Sequence, residues 1–152
     1  MTIFKINIIF INGKSYNSDE LDKLITFFEN IKSELIFNIW DFQLDNTILT
    51  KQAISQILYD RILKEIDNQY ILIGDIQTSY IVGQITNLAC KKNLMKPIGL
   101  IAFDSVITHN FVESNIFYIS IPLRNIINGN NSIIYDLFRT FACSINNSLA
   151  LA

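Results

Sequence analysis

Hydrophobic positions in this chain follow two alternating patterns: short uninterrupted apolar runs, and longer stretches with apolar residues three and four apart. The first run, residues 3–11, is rich in β-branched side chains and stops at Asn12-Gly13, which predicts a central strand buried on both faces. After Lys14, Ser15 and Tyr16, Ser18 reads as an N-cap with Asp19 and Glu20 in the positive first turn. Leu21, Leu24, Ile25, Phe28 and Ile31 then trace one helical face. Residues 34–41 predict a second strand, and residues 42–50 a polar loop. Thr50 caps a second helix whose stripe is Ile54, Ile57, Leu58, Ile62, Leu63 and Ile66, ended by Asp67-Asn68.

Residues 69–74 predict a short third strand and 75–79 a turn. Thr78 or Ser79 starts a third helix with Ile81, Val82, Ile85, Leu88 and Ala89 inward and Lys91-Lys92-Asn93 at its negative end. Residues 98–103 and 116–121 predict two further strands, the second stopped by Pro122. Ser132 caps a closing helix through Ile145. Strands alternating with helices imply a parallel sheet with right-handed crossovers. The sequence thus predicts an α/β fold, a flavodoxin-like doubly wound and mostly parallel five-stranded sheet of order 2-1-3-4-5 with helices on both faces. It contains no internal repeat or linker, so residues 1–152 read as a single domain.

Composition changes this picture at a few points. Roughly 30 isoleucines make Ile a weak strand signal by itself, so periodicity carries the assignments. The formal charge of −2 denies the chain the basic field that dominates duplex nucleic-acid binding, and nucleic acid is not an expected partner. No run is long enough for a membrane span and no cleavable leader is evident, which reads as a cytoplasmic protein without a membrane partner. Cys90 and Cys143 lie in helix-patterned segments without neighbouring ligands, so buried thiols are expected and no metal.

In an open α/β sheet, ligands bind outside the carboxyl ends of the strands at the switch in strand order. Asn12-Gly13, Asp41, Asp75 and Asp104 stand at four such ends, placing up to three carboxylates around one crevice; Asp is also favoured there as a turn former or helix cap. No G-x-G-x-x-G or Walker loop follows the first strand. Trp40 reads as core rather than as a base-stacking surface, and the single His109 as a loop residue. Leu44-Asp45-Asn46-Thr47 resembles the haloacid dehalogenase motif, but Gln43 occupies the nucleophile position and cannot form an aspartyl-phosphate.

The segment from Tyr70 to Asn93 resembles the corresponding piece of Toll/interleukin-1 receptor (TIR) domains, in which an aromatic residue opens the helix and a Glu follows one turn later. Tyr80 takes the aromatic position, Gln84 the Glu position and Ile85 the next aliphatic one, with Pro97-Ile-Gly-Leu-Ile as the following strand. The loop from Ile39-Trp40-Asp41 through Thr50 occupies the place of the family's BB loop. The resemblance implies a bacterial, Thoeris-like antiviral defence protein that cleaves or cyclises NAD, which would be substrate or ligand rather than a resident cofactor. It also implies a homo-oligomer and a nicotinamide or adenine nucleotide held by Asn12, Asp41, Asp75 and Tyr80, with Gln84 at the catalytic position.

A carboxylate beside the ribose stabilises the developing positive charge on the sugar; an amide keeps the shape and loses the charge. Gln84 therefore implies a binding-only homologue or a Glu replacement, inactive or substrate-trapping in either case. A more distant resemblance is to nucleoside 2-deoxyribosyltransferases, where a nucleophilic Glu stands two residues before a Gly; Gly83 is present, but Ile81 holds the Glu position. The alternative outside both families is a non-enzymatic interaction module, an immunity or scaffold protein, using the irregular 105–131 region or an exposed apolar face.

Overall fold

The computed structural model of the chain describes residues 6–30, 35–41, 50–107 and 116–128. Its elements in chain order are β1 (Ile6–Asn12), α1 (Ser18–Asn30), β2 (Leu35–Asp41), α2 (Lys51–Glu65), β3 (Tyr70–Gly74), α3 (Ser79–Lys92), β4 (Gly99–Phe103), β5 (Phe117–Ile121) and α4 (Leu123–Ile127). The strands form one sheet of order β2-β1-β3-β4-β5, and every neighbouring pair is parallel. This is the doubly wound α/β arrangement that the alternation of apolar runs and helical stripes predicts. The strand order reverses between β1 and β3.

Side chains alternate across the pleat, so each central strand feeds two cores. Ile9, Ile11, Tyr70, Leu72, Leu100 and Ala102 pack against α2 and α3, whereas Ile8, Phe10, Ile71, Ile73, Ile101 and Phe103 pack against α1 and α4. Burial on both faces explains why β3 and β4, buried at every position, read as unbroken apolar runs. Trp40 is buried in the α2–α3 core with the Arg61 guanidinium 3.9 Å from its ring centroid, so it offers no open stacking face.

At two of three element ends the structure differs from the sequence reading. The cap of α1 is Asn17 rather than Ser18: Asn17 Oδ1 accepts the Glu20 amide at 2.8 Å and Glu20 Oε1 accepts the Asn17 amide at 3.1 Å, a reciprocal capping box. Thr50 does cap α2, its side chain accepting from the Ala53 amide. Pro122 ends β5 as expected but also opens α4, because its fixed φ and missing N–H suit a helix start. The 105–131 region is accordingly not irregular throughout. Cys90 is half-buried on α3. Cys143, His109, the haloacid dehalogenase-like segment and the expected closing helix lie outside the described residues.

Among the described residues, no helix is long and apolar enough to cross a membrane.

Candidate functional site

The carboxyl ends of β1, β3 and β4 converge on the first turn of α3, and the chain fills the switch point with its own atoms. Asp75, at the end of β3, is fully buried. Its Oδ2 accepts the Gly13 amide at 2.8 Å, and its Oδ1 accepts the amides of Gln77 at 2.9 Å and Thr78 at 3.1 Å. The Thr78 hydroxyl accepts the Asp75 amide, lies 3.1 Å from Asp75 Oδ1 and donates to the Ile11 carbonyl at 2.8 Å. These are the donors that an anionic ligand needs at a helix N-terminus and adjoining loop. Here an internal carboxylate holds them.

Gly13 is required by the same close approach. A Cβ there would stand 2.5 Å from both Asp75 Oδ1 and the Gln77 Cβ. Gly74 permits a similar approach at the end of β3, where a Cβ would meet the Val82 side chain at 3.0 Å and the Ser79 backbone at 3.1 Å. The helix therefore seats directly on the strand end, and the crevice between the turns after β1 and β3 is closed by packing as well as by hydrogen bonds.

Several other polar groups at this edge are also paired within the chain. Asn12 Nδ2 donates to Asp41 Oδ1 at 2.6 Å, and Asn12 Oδ1 accepts the Lys14 amide at 3.0 Å. The Tyr16 hydroxyl donates to Asp104 Oδ2 at 2.7 Å, and the Leu123 amide donates to the same oxygen at 3.2 Å. Burial, and then Asp104, pushes the Tyr16 hydroxyl well above its ordinary pKa, so it remains a proton donor. Ser79 donates to the Asp75 carbonyl and shares a short contact with the Ser105 hydroxyl, which locks the start of α3 to the loop after β4. Among the described residues, no cluster of three His, Cys, Asp or Glu side chains is placed to hold a metal ion.

The structure thus brings Asn12, Asp41, Asp75 and Tyr80 to one edge, but in different states. Asn12 and Asp75 are buried, while Asp41 and Tyr80 are exposed. Gln84 stands one turn deeper along α3 and is half-buried. The sequence reading names Tyr80 but misses Ile76 and Val106, the other large apolar side chains exposed at this edge. Ile76 is 60% exposed, Tyr80 50% and Val106 71%. Ile76 and Tyr80 are one turn apart across the start of α3, and Val106 follows Ser105, whose hydroxyl meets Ser79. The signal in the sequence is Ile76 itself, a large β-branched residue in a turn otherwise made of Asp75, Gln77 and Thr78.

That turn has a further chemical reading. Acyl hydrolases place a nucleophilic Ser between a buried strand and a helix in the sequence Gly-x-Ser-x-Gly, on a sharply strained turn. Here the corresponding five residues are Gly74-Asp75-Ile76-Gln77-Thr78. Ile76 has no nucleophilic atom. Nor is it strained: among the described non-Gly residues, positive φ occurs only at Lys14, Asn93, Met95 and Asp104.

No family model matches the chain, and no curated protein sequence matches it. Similar solved structures include YbtT, a type II thioesterase from the yersiniabactin NRPS/PKS biosynthetic pathway, with TM-score 0.48 and 11% identity over 65% of this chain and 41% of that one. Another is RedJ, the thioesterase from the prodiginine biosynthetic pathway in Streptomyces coelicolor, with TM-score 0.47 and 13% identity over 67% of this chain and 39% of that one. RedJ with a PEG molecule in its active site matches at TM-score 0.47 and 12% identity, over 68% of this chain and 42% of that one. The chain spans about two fifths of the length of these structures. At this level of likeness, no activity passes from them to this chain.

These findings correct the family reading. The structural neighbours are thioesterases, not TIR or nucleoside deoxyribosyltransferase proteins, and the NAD-processing and antiviral assignments are withdrawn with the resemblance that carried them. The interaction-module alternative gains no support from them either. The local geometry agrees, since Asp75 already holds the anion-binding donors at the switch point. Gln84 is left without an assigned role.

Proposed function

We propose that this chain binds a small ligand through an apolar or acyl group at the carboxyl edge of its sheet, over the first turn of α3, without hydrolysing it there. The observation that carries the reading is the rim of Ile76, Tyr80 and Val106, exposed where parallel sheets take their ligands. Burying such side chains against a ligand contributes about 25 cal/mol per Å² of apolar surface removed from water. A phosphate would instead have to displace Asp75 from amides it already holds.

Two further residues fit the reading. Lys51 Nζ stands 5.4 Å from the Tyr80 ring centroid, beside the rim, where it can meet a carboxylate or carbonyl at the polar end of the ligand. Ile76, at the tip of the turn, contributes contact area and no nucleophile. The role proposed for Asn12 and Asp75 is to hold the floor of the site rigid, and that for Tyr80 and Asp41 is to face the ligand.

The test is thermal unfolding of the chain with a medium-chain fatty acid, its methyl ester, NAD and ADP-ribose in turn. A ligand at 100 times its dissociation constant stabilises by about 2.7 kcal/mol, a shift of several degrees for a fold of this size. The apolar ligands are expected to raise the midpoint and Ile76→Asp to abolish the shift. A shift with NAD and none with the apolar compounds would overturn the proposal.

A further inference from the structure

At the opposite, amino edge of the sheet, the connection from α3 to β4 forms a pinned knuckle. Asn93 and Met95 both adopt left-handed backbone, with φ of 51° and 52°, although neither is Gly. Asn93 ends α3 with its own amide and that of Leu94 returned to the last helical carbonyls, Cys90 and Ala89. Two tyrosines hold the next carbonyls in place: the buried Tyr59 donates to Leu94 O at 2.6 Å, and Tyr70 donates to Met95 O. Burial of the Tyr70 hydroxyl pushes its pKa upward, so it remains a donor.

This fixed turn presents one chemistry. Lys91, Lys92, Asn93 and Leu94 are exposed in succession, Lys96 is exposed two residues later, and Leu94 keeps 51% of its surface in water. Among the described residues, none of the three lysines forms an ion pair, although Lys92 also lies 5.6 Å from the Tyr59 ring centroid. On the neighbouring end of α2, Arg61 pairs with Glu65, and Lys64 and Asp67 balance each other in charge. Among the described residues, the knuckle is thus a cluster of lysines without ion-pair partners around an exposed leucine, on a chain whose net charge is −2.

We infer that this knuckle is an adsorption site for an anionic lipid surface. Lysine is depleted from protein–protein interfaces, which are anchored by aromatic residues and Arg, and the knuckle offers neither. A bilayer with anionic headgroups, in contrast, needs only clustered cations near its surface and an aliphatic side chain that enters the interface. Two weak signals together give reversible binding, and no membrane-crossing helix is required. The site lies on the edge of the sheet away from the Ile76 rim and is independent of the ligand proposed there.

The experiment is co-sedimentation of the full chain with vesicles of equal phosphatidylglycerol and phosphatidylcholine, and with vesicles of phosphatidylcholine alone. Binding is expected to the anionic vesicles only, and to fall at least tenfold between 0.05 and 0.5 M salt, by screening of the lysine charges at about those ionic strengths. Lys91→Gln/Lys92→Gln/Lys96→Gln should lower the partition coefficient at least tenfold, and Leu94→Ser should lower it severalfold. Lys14→Gln/Lys23→Gln, away from the knuckle, should leave it unchanged, and matching melting temperatures establish that all variants fold. Equal binding to both vesicle types, or binding undiminished by the knuckle variants, overturns the inference. Binding to poly-glutamate or duplex DNA with none to vesicles also overturns it, and reassigns the lysines to an acidic protein or a nucleic acid.

Discussion

The Gly13 amide donates to Asp75 Oδ2 at 2.8 Å, across 62 residues of chain, and ties the turn after β1 to the turn after β3 at the point where strand order reverses. A flavodoxin-like sheet leaves a crevice there for a ligand. In this chain a carboxylate and a close backbone approach occupy it. The ligand-facing surface proposed above lies outside it, on the apolar side chains exposed at the start of α3.

Asp75→Ala should destabilise the fold by on the order of 3 kcal/mol, because the amides of Gly13, Gln77 and Thr78 lose a shared buried acceptor. Gly13→Ala should cost about 1–3 kcal/mol by overpacking against Asp75 and Gln77. The double variant should cost less than the sum, since removing the carboxylate relieves one of the two clashes. Urea unfolding of the four proteins checks this, and strict additivity would show that the two residues do not act as one lock.

Asn17→Ala should destabilise the fold by about 1 kcal/mol through loss of the α1 cap, whereas Ser18→Ala should change it by less than about 0.5 kcal/mol. Denaturant midpoints of the two variants distinguish the caps. A larger loss at Ser18 would contradict the capping box.

The Tyr16 hydroxyl supplies a pH signature. Burial and the bond to Asp104 raise its pKa above the ordinary 10.0, so above pH 10 the unfolded chain releases a proton that the folded chain retains. The stabilisation is complete below pH 10 and is lost as pH rises further. Tyr59 and Tyr70 are shifted in the same direction and contribute to the same alkaline loss. Tyr16→Phe should make the fall in stability between pH 9 and 11.5 shallower without removing it. An unchanged slope would mean that Tyr16 titrates alike in both states.

Trp40, the single tryptophan, reports on the contact between β2 and α2. Its emission should be blue-shifted in the folded chain and move to the red on unfolding. Arg61→Ala should lower stability by about 0.5–1 kcal/mol through the lost cation–π contact. An exposed-type spectrum from the native protein would place Trp40 outside the core.

The fold is legible because its signals are local. The run 3–11 and the stripe from Ile54 to Ile62 each carry their own period, and alternation of such elements leaves a parallel sheet as the natural solution. Helix α4 escapes that reading because Pro122 marks a strand end and a helix start equally well. The site is harder to read for a different reason. Asp41, Asp75 and Asp104 all look available in a sequence, and only the fold shows Asn12 paired to Asp41, Gly13 to Asp75 and Tyr16 to Asp104 over separations of 29, 62 and 88 residues. Ile76 does not register because an apolar residue gains meaning at a turn only once its exposure is known.

Heteronuclear NMR of the labelled chain, titrated with a medium-chain fatty acid and separately with NAD, distinguishes an apolar rim over a filled switch point from an open nucleotide crevice. The fatty acid should give saturable shifts at Ile76, Tyr80 and Val106, with the Gly13 and Gln77 amides little changed, and NAD should give no saturable response. Saturable shifts from NAD at Gly13, Gln77 and Thr78 would show the switch-point crevice open to a nucleotide, and the ligand site would then lie beneath the rim rather than on it.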